Sequence, residues 1–246
     1  MKKKSLFFRI SQTNILLRKL YFFYNIYIRN SKYLNNSSQF GEDEIILNLF
    51  EKDYVGFYLD IGCYHPTKHN NTYKMYKRGW TGINVDLNPF TIELFNFFRK
   101  RDLNINAAIS DDENTKELYF LNELNTENTI DPNHIDFLKK NHNVQDHEIT
   151  KKNIKSKTFS QIININNIKR IDFFNLDVEG HELNILKTID FEKLFINVIC
   201  IEMIEHNNIS IKNNSEIKNI LKKNNYTLVD KIDINHIYKK KFSHEK

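Results

Sequence analysis

Residues 56–89 read GFYLDIGCYHPTKHNNTYKMYKRGWTGINVDLNP, and no other stretch restricts the fold as strongly. An apolar run ends at Asp60-Ile61-Gly62, and a short segment with helical spacing follows. Gly79-Trp80-Thr81-Gly82 then turns the chain into a second apolar run that ends at Val85-Asp86. Strand, tight turn, helix and strand in this order make half of a nucleotide-binding α/β unit. Trp80 fits the core between strand and helix.

The rest of the chain repeats the alternation. Strands are expected at 57–61, 83–86, 104–109, 172–176 and 198–201, with an edge strand at 118–121. Helices are expected at 71–78, from Pro89 to about Lys100, at 158–165, after Glu182 and at 215–223. Pro89 suits a helix start because its missing N–H is needed nowhere in the first turn. Runs at 227–231 and 236–240 close the chain as a hairpin. The pattern predicts one α/β domain over 37–246, a doubly wound, mostly parallel Rossmann-like sheet with an antiparallel C-terminal hairpin. Residues 122–150 lose periodicity and read as a polar lid or substrate loop. Three histidines there, His134, His142 and His147, have no metal-site spacing.

Residues 1–36 are set apart as an extension of one or two helices in which aromatic and aliphatic residues alternate with Lys and Arg. From Met1 to Gly41 there are eight basic residues and no acid, so the other 28 basic residues face 31 acidic ones despite a net charge of +5. The basic character therefore belongs to the extension, and a nucleic-acid partner is not expected. A basic amphipathic helix either lies on an anionic membrane surface or packs on the core. No signal peptide is evident, and the uncharged run at 20–28 falls short of the roughly 20 residues needed to span a bilayer. Cys63 and Cys200 form no metal motif and read as buried, reduced thiols, which favours a cytoplasmic setting. Ser37 or Ser38 is expected to cap the helix that begins near Glu42.

In an open parallel sheet, ligands bind beyond the carboxyl ends of the strands. Asp60, Asp86, Ser110 with Asp111, Asp177 with Glu179, and Glu202 all fall at such ends. Gly62 lets the backbone approach a ligand, and Asp86, 24 residues after it, is placed to accept the hydroxyls of a ribose. Tyr64 and Pro66 stand where a dinucleotide fingerprint needs glycines, so a pyrophosphate would meet side chains. A nucleoside without phosphate fits better. Asp60 could hold an ammonium group at its far end, a pairing that S-adenosylmethionine possesses.

Five segments together, Ser38-Gln39-Phe40-Gly41-Glu42-Asp43, Asp60-Ile61-Gly62-Cys63-Tyr64-His65-Pro66, Asn71-Thr72-Tyr73, residues 79–86 and Asp177-Val178-Glu179-Gly180-His181-Glu182, resemble the FkbM family of S-adenosylmethionine-dependent methyltransferases. The resemblance covers residues 38–202. It implies a class I methyltransferase fold and O-methylation of a hydroxyl on a sugar or small molecule, here a saccharide or sugar-nucleotide precursor of a cell-surface polysaccharide. Gln39, Asp60, Gly62, Asp86, Ser110 and Asp111 are the expected cofactor contacts. Many methyltransferases carry a second glycine where this chain has Tyr64.

Methyl transfer from a sulfonium is an in-line displacement, so positioning supplies most of the acceleration, up to roughly 7–11 kcal/mol. A base that accepts the hydroxyl proton adds about 100- to 10,000-fold. Asp177, Glu179, His181 and Glu202 are the candidates, with His206 beside the last. A divalent ion on Asp177 and Glu202 is compatible with carboxylate chemistry but not favoured. The competing readings are a nicotinamide-dependent enzyme on a similar sheet, an RNA-modifying methyltransferase, and a non-catalytic module held at a membrane through residues 1–36.

Overall fold

A computed structural model of the chain describes residues 6–205 and 208–241; His206 lies outside the described residues. The strands in chain order are β1 Phe57–Ile61, β2 Thr81–Asp86, β3 Leu103–Asn106, β4 Ala108–Ser110, β5 Thr115–Phe120, β6 Thr150–Thr158, β7 Arg170–Leu176, β8 Phe195–Glu202, β9 Tyr226–Ile232 and β10 Asn235–Lys240. The α-helices are α1 Leu6–Ser11, α2 Ile15–Phe23, α3 Glu42–Leu47, α4 Tyr73–Lys77, α5 Pro89–Phe98, α6 Pro132–Asn141, α7 Phe159–Ile165, α8 Glu182–Lys187 and α9 Asn208–Lys223.

Seven strands form the main sheet in the order β3-β2-β1-β7-β8-β10-β9. All pair in parallel except β10, which runs antiparallel to both β8 and β9. This is the mostly parallel, Rossmann-like sheet the alternation predicts, and it agrees with the methyltransferase fold the resemblance implies. Strand order reverses between β1 and β7, which opens the crevice that such sheets use for ligands.

The central strands are apolar on both faces because both are covered. On one face Leu59, Phe174 and Ile199 meet Phe159 and Ile162 of α7 and Leu183 and Leu186 of α8. On the other Tyr58, Phe173 and Val198 meet Ile46, Met75 and Trp80. Trp80 is fully buried, and its Nε1 donates to the Tyr54 carbonyl at 2.8 Å. Cys63 and Cys200 are free and buried.

Four expectations need correction. The strand expected at 104–109 breaks at Ala107, whose N–H donates to the Asp86 carbonyl at 3.1 Å. Its second half, β4, leaves the main sheet and pairs with β6 in a separate sheet of order β4-β6-β5. Strand β6 reads TKKNIKSKT, mostly exposed lysines without an apolar face, so no period-two signal marks it. The supposed loop at 122–150 contains α6, which Asp131 caps by accepting from the Asn133 N–H, with Pro132 in the first turn. Ser37 and Ser38 do not cap α3: both donate to the Asp43 carboxylate, each at 2.7 Å.

The N-terminal helices lie against α5, where Phe8, Tyr21, Phe22 and Ile26 bury themselves with Phe90 and Leu94. Arg18 adds an ion pair with Glu93 at 2.5 Å. Leu6, Ile15, Leu16 and Ile28 remain exposed on these helices. No described helix is long and apolar enough to cross a membrane.

Candidate active site

A cavity of about 640 Å³ opens at the carboxyl ends of β1, β2, β7 and β8. Its volume is in the range of small-ligand sites.

The loop after β1 forms the first wall. Gly62 has φ +85°, and its N–H donates to the Val85 carbonyl at 2.9 Å. A Cβ there would lie 1.5 Å from the Asp177 carbonyl oxygen. The sequence reading assigned this glycine to approach by a ligand, but the close neighbour is the end of β7. Tyr64 follows in the left-handed region at φ +52° and directs its N–H to Asp86 Oδ2 at 2.9 Å. His65 secures the loop from behind. Its Nδ1 accepts the N–H groups of Thr67 and Lys68, so Nε2 carries the proton and donates to Asn25 Oδ1 at 2.8 Å. Burial lowers the His65 pKa to about 3, which keeps it neutral.

Asp86 is held by two backbone donors, Tyr64 on Oδ2 and Asn88 on Oδ1 at 2.7 Å. Each oxygen keeps a lone pair for a ligand. Burial pushes its pKa up to about 6, against the pull of those two hydrogen bonds. Asp60 also lines the cavity but is committed inward. Asn175 donates to Oδ1 at 2.9 Å, and Thr72 and Asn70 donate to Oδ2 at 3.1 and 3.2 Å. Behind it Arg99, fully buried, donates to Asn70 Oδ1 at 2.7 Å, the Pro66 carbonyl at 3.0 Å and the Tyr58 hydroxyl at 3.1 Å.

Gln39 reaches the cavity because the segment before α3 is tied into a tight turn. Glu42 accepts the Phe40 N–H at 2.8 Å and Asn235 Nδ2 at 2.7 Å.

The opposite wall carries Asp177, Glu179 and Glu202, with one oxygen of each within 4.8 Å of the others. Glu179 adopts φ +57° and Gly180 φ +104°. This bend is held by Glu182 Oε1, which accepts the Val178 and Gly180 N–H groups at 2.9 and 3.2 Å. Thr129 Oγ1 donates to the Glu179 carbonyl at 3.0 Å. Burial, with neighbouring carboxylates adding to it, pushes Asp177 up to about 8 and raises Glu179 and Glu202 well above the usual carboxylate range. His134, on α6, lies 3.3 Å from Glu179 Oε2.

Gln39, Asp60, Gly62, Asp86, Asp177, Glu179, His181 and Glu202 therefore share one cavity. Ser110 and Asp111 do not line it. Because β4 leaves the main sheet, Ala107, Ala108 and Ile109 face the cavity instead. Ser110 is buried between Asp111 Oδ1 at 2.9 Å and His181 Nε2 at 3.2 Å. The sequence reading missed Asn175 and Arg99, and weighed His134 only as a metal ligand that lacked the spacing for one. Asn175 had a local signal, a polar residue inside the apolar run IDFFNLD; a lone arginine at a helix end and a histidine in a polar stretch had none.

A family model described as "Methyltransferase FkbM domain" matches residues 60–228. No curated protein matches the chain.

Proposed function

The chain belongs to the FkbM methyltransferase family, and from that premise we propose that it uses S-adenosylmethionine to O-methylate a hydroxyl of a saccharide or sugar-nucleotide precursor of a cell-surface polysaccharide. The observation that carries the choice of cofactor is the sign of the cavity's charge. Asp60, Asp86, Glu127, Asp177, Glu179 and Glu202 line it against a single lysine, Lys68. A cation entering the cavity draws these carboxyls toward their charged form and gains from it, whereas a dinucleotide pyrophosphate or an RNA backbone finds a single lysine to pair with. Residues 62–72 contain no helix, so no helix begins directly after β1 to receive a pyrophosphate. Both the nicotinamide and the RNA readings lose ground for these reasons.

When bound, S-adenosylmethionine supplies a methyl group already activated by its sulfonium, which leaves as a neutral thioether as the new C–O bond forms. Asp86 accepts the two ribose hydroxyls through its remaining lone pairs. Gln39, Asn71, Asn125 and Thr126 offer uncharged hydrogen-bonding groups suited to a polyol. The proton lost by the acceptor oxygen passes to a deprotonated member of the Asp177, Glu179 and Glu202 cluster; Asp177, pushed up to about 8, exchanges its proton close to neutral pH. His181 is a weaker candidate, since burial lowers its pKa and Ser110 occupies Nε2.

Incubation with methyl-labelled S-adenosylmethionine and a panel of nucleotide sugars and envelope glycans tests the assignment. One added methyl on a glycan hydroxyl, seen by mass spectrometry, is the expected product. Transfer to nitrogen or to RNA alone would overturn it.

Asp86→Ala is expected to weaken S-adenosylmethionine binding by about 1.5–3 kcal/mol, roughly 10- to 150-fold. Calorimetry reads this directly. Binding should also depend on pH: with a pKa near 6, Asp86 takes up a proton as pH falls through that value and loses acceptor capacity. Affinity measured from pH 8 down to pH 5 should therefore decline around pH 6, and Asp86→Asn should flatten that part of the curve.

For folding, the sign is opposite. A pKa raised from 3.8 to about 6 makes the Asp86 contribution to stability most favourable at acid pH and removes it as pH rises through about 6. The same change of pH thus weakens ligand binding and relieves the cost of burying this charge.

A further inference from the structure

We propose that Asp177, Glu179 and Glu202 bind a divalent cation of the magnesium or manganese class inside the cavity. The donor set is the first ground. Three carboxylates from two strand ends and the bend between them place one oxygen each within 4.8 Å of the others. Opposite oxygens around Mg²⁺ lie about 4 Å apart and around Ca²⁺ up to about 5 Å, so the cluster spans the shell of one hard cation. An all-oxygen set selects magnesium, manganese or calcium over zinc or copper.

The second ground is independent of clustering. Glu202 is 7% exposed, and its Oε2 has no hydrogen-bond partner among the described residues. An orphaned buried carboxylate oxygen is costly, and the cost disappears when the oxygen ligates a cation. No lysine or arginine among the described residues forms an ion pair with any of the three; Glu179 has His134 at 3.3 Å.

The protein also prevents the three from swinging apart. Asp177 is fixed where its N–H donates to the Ile61 carbonyl at 3.0 Å and its own carbonyl packs against Gly62. Glu202 ends β8 opposite Asn235 of β10. Glu179 sits on the bend that Glu182 and Thr129 hold. Like charges held together on anchored backbone, with one oxygen left unpaired, are the arrangement a cation stabilises.

Three carboxylate oxygens leave coordination positions facing the cavity, where a hydroxyl of the acceptor or water can bind. With a cation bound, these carboxylates are its ligands rather than the base, and the cation would lower the pKa of the hydroxyl it holds so that the proton leaves to water. That role rests on the methyl-transfer reading above, whereas binding of the cation does not.

The experiment uses the full chain, stripped with chelator and titrated with Mn²⁺, followed by calorimetry and by the electron spin resonance of the free ion. One Mn²⁺ per chain is expected, displaceable by Mg²⁺. Asp177→Asn and Glu202→Gln should each weaken it by about ten-fold or more, while Asp53→Asn, on the exposed surface, should leave it unchanged. Melting temperatures without metal verify that the variants fold. Failure to bind Mn²⁺ or Mg²⁺ at millimolar concentration would overturn the proposal, as would equal affinity in the Asp177→Asn/Glu202→Gln double variant. S-adenosylmethionine titrated into the same metal-free protein separates the two readings: cofactor binding without any cation site would leave methyl transfer standing and remove this inference alone.

Discussion

Replacing Arg99 by alanine is expected to destabilise the fold by about 3–5 kcal/mol, the cost of breaking a buried charge network from one side. Arg99 is fully buried, and its guanidinium lies 4.7–5.7 Å from the ring centroids of Tyr76, Tyr73 and Phe95. Its removal takes donors from Asn70, the Pro66 carbonyl and the Tyr58 hydroxyl. It also takes the nearest cation from Asp102, 3.8 Å away, which otherwise holds the Gly82 N–H and Asn84. Asn70 links this network to Asp60, so the damage reaches the floor of the site. Lysine should recover only part of the loss, because a point charge cannot supply the fork that reaches Pro66, Tyr58 and Asn70 at once. Urea denaturation of Arg99→Ala and Arg99→Lys measures both; a loss below about 1 kcal/mol for alanine would show that the network does not support the fold.

Gly62→Ala should cost more than about 4 kcal/mol, beyond the usual range for a single substitution. Two effects combine. The left-handed backbone, φ +85°, is unfavourable for alanine by about 1–2 kcal/mol. The larger effect is steric: the new Cβ would sit 1.5 Å from the Asp177 carbonyl oxygen and 2.6 Å from its carbon, neither of which belongs to a side chain that could rotate away. Relief requires β1 and β7 to separate at their carboxyl ends, which breaks the Asp177 N–H bond to Ile61 and displaces the carboxylate cluster. Gly41 isolates the first effect, since it has φ +97° and no atom within 4 Å of its missing Cβ. Gly41→Ala should therefore lose only the backbone cost, and comparable losses in the two variants would refute the steric account. The expected companion result is loss of S-adenosylmethionine binding in Gly62→Ala with binding retained in Gly41→Ala.

The sequence made the main sheet legible because its central strands are covered on both sides. Such strands read as unbroken apolar runs, and polar residues at their ends stand out: Asp60, Asp86, Asp177 and Glu202 were visible for this reason. The second sheet was not legible, because β6 is a solvated strand whose lysines carry no alternation. Helix α6 did carry a local signal, Asp131-Pro132 at its start, but it lay inside a polar stretch that otherwise reads as loop. The exit of β4 from the main sheet, and with it the loss of Ser110 and Asp111 from the site, follows from a break at Ala107 that no apolar pattern marks.

By itself, then, the sequence determined the class of fold, the crevice in which a ligand must lie, and five of the carboxylates around it. Periodicity and strand-end chemistry are local properties, and they survive in a linear reading. Only the tertiary structure decided what each residue faces. It turned Gly62 toward Asp177 rather than toward a ligand, joined Arg99 to Asp60 through Asn70, and brought Glu179 against Asp177 and Glu202 while leaving Glu202 Oε2 unpaired. Those facts depend on how strand ends from distant parts of the chain converge, and distance along the chain carries no record of it.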